Sequence, residues 1–257
     1  MKPTIGVIGT GDFAAYLIAA LRKGGHEGRI LLSPYSRSKA EALAARHACE
    51  VAADEARLLA EADWVLLAVR PGQLAAALAN LSLRPRQLLI SAVAGTSIAR
   101  LRQALGEDVP VVRIMPSSYI DTVGGGVIPM YPSSAEVEAV FGVGGTVVTF
   151  DTEEQFELSM VAACFSGWIY RFVGTLEAWF VERGLSPAQA RLMVAGNMAG
   201  AAGYAMAHRH ASLTAISDAI ATEGTYTKAG LDHLLDSEAA SPWLRALDIV
   251  HARLNGA

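Results

Sequence analysis

The chain has 257 residues, with 21 Lys and Arg against 25 Asp and Glu, a formal charge of −4. With 52% hydrophobic and 18% charged residues it is too apolar for a disordered protein. The slight acidity withholds the positive field that nucleic-acid binding relies on.

The predicted elements alternate through the first half. Residues 5–8 form a short apolar strand, and residues 13–22 follow with helical spacing until Gly24-Gly25 stops them. Residues 29–32 read as a second strand and 39–47 as a second helix. The runs 64–69 and 88–93 are continuous apolar strands, a helix follows over 98–105, and 111–115 is a further strand. Such strands, separated by helices, imply a parallel sheet covered on both faces. Residues 124–130 and 146–150 read as further strands near the sheet edge, with a helix from Ser133 between them.

Strand signals largely disappear after Thr152. Thr152-Glu153-Glu154-Gln155 is a capping-box sequence. Ser186-Pro187-Ala188-Gln189 is a second box with Pro at the first helical position, and Ser241-Pro242 opens a last helix. The expected fold is therefore α/β: a Rossmann-type doubly wound sheet over 1–151, then an all-helical domain over 152–257. The apolar stretches 158–170 and 192–207 are too short or too interrupted to cross a bilayer and read as buried helices. Gly196, Gly200 and Gly203, set among alanines on one long helix, suggest close helix crossing or a dimer interface. The N-terminus leaves no room for a signal peptide, and Cys49 and Cys164 are expected as buried free thiols, so a cytoplasmic location is expected. No membrane partner, nucleic acid or metal is anticipated. His208 and His210 are expected on a helix, two residues apart, which points the rings away from each other.

The chemistry starts at Gly9-Thr10-Gly11-Asp12-Phe13-Ala14, which lies between the first strand and the first helix. Gly9 permits a tight turn, Gly11 removes a Cβ where a pyrophosphate must approach, and Ala14 lets helix pack on strand. Backbone N–H groups at the helix start would face the phosphates. At the end of the second strand, NAD binding usually places an acid for the ribose 2′-hydroxyl. Here the stretch 33–38 (SPYSRS) has none. Arg37 offers a planar fork of donors, and Ser36 and Ser38 add hydroxyls, so NADP (NADPH) is preferred over NAD. The competing reading of Arg37 is a solvated side chain at a helix start.

From these residues onward the sequence resembles the pyrroline-5-carboxylate reductase family. Ala68-Val69-Arg70-Pro71 is similar to its Ala-Val-Lys-Pro segment beside the cofactor. The segment 91–95 (SAVAG), with Ala94 and Gly95, is similar to its Ala-Gly turn near the nicotinamide. Arg113-Ile114-Met115-Pro116 resembles the Arg-Val-Met-Pro segment that closes the nicotinamide pocket. Ser166, Gly167 and Tyr170 fall where the family has Ser-Gly-Pro-Ala-Tyr, and 221–231 (ATEGTYTKAGL) where it has its Gly-rich substrate loop.

The resemblance implies hydride transfer from NAD(P)H to a cyclic imine carboxylate, with proline as the usual product, and a homodimer or higher homo-oligomer built through the helical domain. It implies that Ser166, Gly167, Glu223, Gly224 and Thr225 border the substrate. It assigns the hydrogen-bonding hydroxyl near the imine to Thr227, with Tyr226 as rival donor. The departures gather in this substrate region. Ser117 replaces the family's Asn, Trp168 its Pro, and the loop 222–227 (TEGTYT) its Ser-Pro-Gly-Gly-Thr-Thr. A Glu at 223 would oppose an anionic substrate if it pointed inward. Tyr226 has a competing reading as a core or interface aromatic, and Glu223 as a solvated acid. Two other functions fit less of the pattern: an F420-dependent NADP reductase-like oxidoreductase, and a non-catalytic NADP-binding homologue.

Overall fold

The computed structural model describes residues 2–122 and 126–254. The chain forms two compact units, Met1–Ala163 and Cys164–Ala257.

In the first unit the strands are β1 (Ile5–Ile8), β2 (Ile30–Leu32), β3 (Glu50–Val51), β4 (Trp64–Leu67), β5 (Leu88–Ser91), β6 (Val111–Ile114), β7 (Val127–Tyr131) and β8 (Thr146–Thr149). The helices are α1 (Asp12–Lys23), α2 (Arg37–His47), α3 (Glu55–Glu61), α4 (Leu74–Ala79), α5 (Ile98–Leu105), α6 (Ala135–Phe141) and α7 (Glu153–Ala163). The strands make one sheet in the order β3-β2-β1-β4-β5-β6-β7-β8. β1 to β6 pair in parallel, β7 runs antiparallel to β6, and β8 is parallel to β7. Chain order reverses between β1 and β4, where an open α/β sheet forms its ligand crevice.

Strand side chains alternate between the faces, and here both faces are buried, which is why the strands read as unbroken apolar runs. Ile5, Val7, Leu66, Ile90 and Val112 pack with Leu17, Ile18 and Leu21 of α1. Ile8, Leu31, Val65, Leu67 and Leu89 pack with Leu58 of α3 and Leu101 of α5. α3, α4 and the two-residue β3 are too short to announce themselves by periodicity. α3 depends on a local cap instead, with the Asp54 carboxylate accepting from the Arg57 N–H at 2.7 Å. The strand expected from residue 124 begins at Val127; Gly124 and Gly125 lie outside the described residues.

The second unit contains α8 (Phe165–Glu182), α9 (Pro187–Ala207), α10 (Leu213–Ile220), α11 (Tyr226–Asp236) and α12 (Ser241–Leu254). The Ser186 box forms as expected, the hydroxyl accepting from the Gln189 N–H and the Gln189 side chain accepting from the Ser186 N–H. Arg191 of α9 pairs with Glu177 of α8, and Trp243 of α12 packs on Trp168 and Phe172 of α8.

Four expectations are corrected. The apolar stretch 158–170 is two helices, α7 and α8, which meet at Cys164. The helices over 165–207 are not buried within the chain: among the described residues, α8 buries none and α9 buries only Ala190 and Val194. His208 and His210 lie past the end of α9, not on it: the His208 ring stacks on Tyr204 and its Nδ1 sits 2.9 Å from the Tyr204 carbonyl oxygen. Cys49 and Cys164 are half-buried, not buried. No helix among the described residues is long and apolar enough to cross a membrane.

Candidate functional site

The site grows from the turn after β1. Gly9 has φ +97°, in the region that disfavours any residue with a Cβ. A Cβ on Gly9 would also lie 2.5 Å from the carbonyl oxygen of Ala68, at the end of β4. Gly9 is therefore required by turn and neighbour together. Gly11 is different. It is the N-cap of α1 in ordinary extended conformation, and a Cβ there would meet nothing within 4 Å. No side chain caps the first turn of α1, so its N–H donors point from the turn without a side-chain acceptor. Ala14, fully buried, seats the helix on the sheet.

Beside this turn lies a cavity of about 250 Å³. Ile8, Gly9 and Thr10 form one wall, Ser33, Tyr35 and Ser36 another, and Val69, Gly72, Gln73, Ala76, Ala77 and Asn80 a third, with Glu55 reaching in from α3. A concave apolar pocket, a glycine turn and an unshielded helix start together form a cradle for a dinucleotide. The residues fit that group: the space is open where Gly11 lacks a Cβ, and the Gly9 turn holds the backbone near it.

The structure brings together some of the expected residues. Gly9, Thr10, Ser36 and Val69 line the cavity, and Gly11, Asp12 and Phe13 continue from it into α1. Ala68 ends beside Gly9, while Arg70 and Pro71 are exposed at the 3-10 turn over 71–73 that closes the third wall. Arg37 and Ser38 stand outside the lining, exposed in the first turn of α2, and Arg37 Nε donates to Glu41 Oε1 at 2.9 Å. Ala94 and Gly95 form the turn after β5, where Gly95 has φ +64° and open space beside it. Met115 and buried Pro116 follow β6, and the Met115 N–H donates to the Pro129 carbonyl.

In the second unit, Ser166 and Gly167 sit in the first turn of α8. Glu223 and Gly224 lie in the turn before α11, where Gly224 has φ +81°. Thr225 is the N-cap of α11: its hydroxyl donates to the Thr222 carbonyl at 2.7 Å and accepts from the Lys228 N–H at 3.2 Å. That hydroxyl is engaged within its own turn. Tyr226 is fully exposed and Thr227 exposed beside it. The Lys228 ammonium next to them is held above its usual range, first by Asp232 and then by weaker attraction to Glu223 and Asp218.

Sequence reasoning missed three features. Tyr35, 90% exposed, stands at the cavity mouth, the signal being an aromatic residue just past the second strand. Glu55 reaches the cavity from an element that the pattern does not reveal. Arg113, quoted only as part of a motif, is a fully buried cation. Its Nη1 donates to Glu153 Oε1 at 2.7 Å and to Glu157, and the guanidinium lies 4.6 Å over the Phe156 ring. Glu153 Oε1 also accepts the Ile98 N–H at 2.8 Å, so one cluster ties β6, α5 and α7. Among the described residues no group of three or more His, Cys, Asp or Glu side chains is placed to hold a metal.

Comparison with known proteins also separates two parts of the chain, the second beginning in α7 of the first unit. Residues 4–95 match the family model described as NADP oxidoreductase coenzyme F420-dependent, and residues 153–255 match pyrroline-5-carboxylate reductase dimerisation. A pyrroline-5-carboxylate reductase of Pseudomonas aeruginosa is 37% identical over 119 residues, a match spanning 45% of this chain and 44% of that protein. Pyrroline-5-carboxylate reductase 1 of Bacillus spizizenii is 26% identical over 91% of this chain and 82% of its own. The crystal structure of 1-pyrroline-5-carboxylate reductase from Streptococcus pyogenes superposes with TM-score 0.88 at 24% identity, covering 99% of both chains. With a nucleotide cradle in one half and, in the other, a helical unit that matches pyrroline-5-carboxylate reductase dimerisation, the chain is similar along most of its length to pyrroline-5-carboxylate reductases.

Proposed function

We propose that this protein is an NADPH-preferring oxidoreductase that reduces the C=N bond of a cyclic imine carboxylate, pyrroline-5-carboxylate to proline or a related imine. The observation that carries the reading is the cavity at the switch point between β1 and β4, joined in one chain to the family's helical unit. The F420 reading has support only from residues 4–95, and the helical half departs from it. We assign nucleotide binding to residues 1–151 and substrate binding and dimerisation to 152–257, a division supported by the second family model beginning at residue 153.

Imine reduction adds a hydride to carbon and a proton to nitrogen. A reduced nicotinamide, when bound, supplies the hydride and leaves oxidised. The chain's part is to bind, orient and exclude water. The N–H groups of the first turn of α1 hold the pyrophosphate, and Gly11 keeps the approach clear. Thr10, Asp12, Phe13, Ala68, Val69, Arg70 and Pro71 frame the dinucleotide, and Ala94, Gly95, Met115 and Pro116 frame its nicotinamide end. Ser36, Arg37 and Ser38, next to the wall formed by 33–36, favour a 2′-phosphate and hence NADP over NAD.

Ser166, Gly167, Glu223, Gly224 and Thr225 anchor the substrate. The Thr227 hydroxyl hydrogen-bonds the imine nitrogen, with Tyr226 as the second donor. Imines enter as iminium ions readily enough that no strong protein acid is needed, and Glu223 stabilises that charge. The uncovered apolar helices of the second unit support a homodimer or higher homo-oligomer, and we place the protein in the cytoplasm.

The test is turnover with NADPH across a panel of cyclic imines, pyrroline-5-carboxylate included. Reduction of at least one, lost in Thr227→Ala while NADPH still binds, is the expected result. No turnover of any imine by protein that binds NADPH would leave a nucleotide-binding homologue without this activity.

A further inference from the structure

Glu55 is the one charged side chain among the described residues that line the cavity. It is the first residue of α3, and its Oε1 accepts from the Ser33 hydroxyl at 3.3 Å. Ser33 is the residue after β2; it is buried, and its N–H is bonded to the Val7 carbonyl. The carboxylate is therefore fixed at the carboxyl end of the second strand. A dinucleotide fold places an acid there to accept a hydrogen bond from the adenosine ribose 2′-hydroxyl. In this chain the acid comes from the following helix instead of from the strand. Arg37, the cation expected to favour a 2′-phosphate, lies outside the lining and pairs with Glu41.

We infer that Glu55 is a specificity-determining residue that accepts from the ribose 2′-hydroxyl and repels a 2′-phosphate, so that NADH is bound alongside NADPH and any NADPH preference is narrow. The inference rests on the proposed nucleotide site and adds to it an element that opposes Arg37. A hydroxyl donates to a carboxylate, whereas a phosphate brings a second anion to the same place. Removing the charge but keeping the acceptor for Ser33 moves only the discrimination.

The experiment measures Kd for NADPH and NADH by titration without imine, for wild type, Glu55→Gln and Arg37→Ala, with melting temperatures as a check on folding. The same titrations with ADP and 2′,5′-ADP isolate the adenosine end. In wild type the two coenzymes are expected to bind within about tenfold of each other. Glu55→Gln is expected to move the ratio toward NADPH by about tenfold, and Arg37→Ala to move it the other way. A ratio unchanged within twofold in Glu55→Gln, at unchanged melting temperature, overturns the role of Glu55 and leaves the nucleotide site standing. Absence of binding of either coenzyme to wild type overturns the nucleotide site and this inference with it.

Discussion

Arg113→Met tests the buried cluster that joins the sheet to its flanking helices. Met fills much the same volume without charge. The loss leaves Glu153 and Glu157 facing each other at side-chain exposures of 23% and 19%, with no cation between them. Removing one partner of a buried pair costs about 3–5 kcal/mol. The partial exposure of both carboxylates argues for the lower end. Loss of the guanidinium over Phe156 adds about 1 kcal/mol. For a unit of this size, each kcal/mol lowers Tm by about 2–4 °C, so a loss of about 4 kcal/mol gives an expected drop of about 8–16 °C by scanning calorimetry. The charge argument makes a second demand. Arg113→Met combined with Glu153→Gln and Glu157→Gln keeps an acceptor for the Ile98 N–H and removes the repulsion, so it should recover more than half of the loss. A single variant within about 2 °C of wild type, or a triple variant no better than the single, refutes the reasoning.

The two turn glycines should separate. Gly9→Ala, with its Cβ driven at the Ala68 carbonyl from a positive φ, should cost about 2–5 kcal/mol in urea unfolding. Gly11→Ala should leave the urea midpoint unchanged while weakening NADPH binding; equal effects of the two on stability would contradict the geometry. His26 is buried, and burial, with Arg22 and Lys2 nearby, holds its ring below the ordinary value of 6.5. The unfolded chain then takes up the proton first as pH falls, so stability is full above about pH 6.5 and declines below it. His26→Gln should flatten that decline, and an unaltered pH slope of the urea midpoint would exclude His26 as its source. Leu192 is 73% exposed on α9. Leu192→Glu should sediment as a smaller species than wild type at micromolar concentration, and unchanged sedimentation would remove this face from the interface.

The sheet was legible because its signals are local and redundant. β1 and β4 are apolar runs that both faces bury, and β5 and β6 are mostly apolar, so hydrophobicity locates all four even though β6 carries Arg113. Gly9 was equally legible, since a turn that excludes Cβ must be written as glycine. The faces of α8 and α9 were misread because apolar content does not say which molecule buries it. Their composition is that of a core, yet among the described residues α8 buries none and α9 only Ala190 and Val194.

Glu55 and Arg37 show what spacing along the chain leaves out. The rule that looks about 20 residues beyond the glycine turn assumes that the ribose-facing acid belongs to the second strand. That assumption holds only if position along the chain stands for position in space. In this fold α3 begins directly behind the end of β2, and Ser33 provides a hydroxyl to hold a carboxylate coming from there. On the inference above, the acid stands at the same place with a different sequence number. Arg37, at the expected number, turns along its own helix to Glu41. What the cofactor meets is the set of charges lining the cavity, and that set is fixed by packing of elements distant in sequence. A cofactor preference read from one loop weighs only the cation, whereas the proposed discrimination sets Arg37 against Glu55.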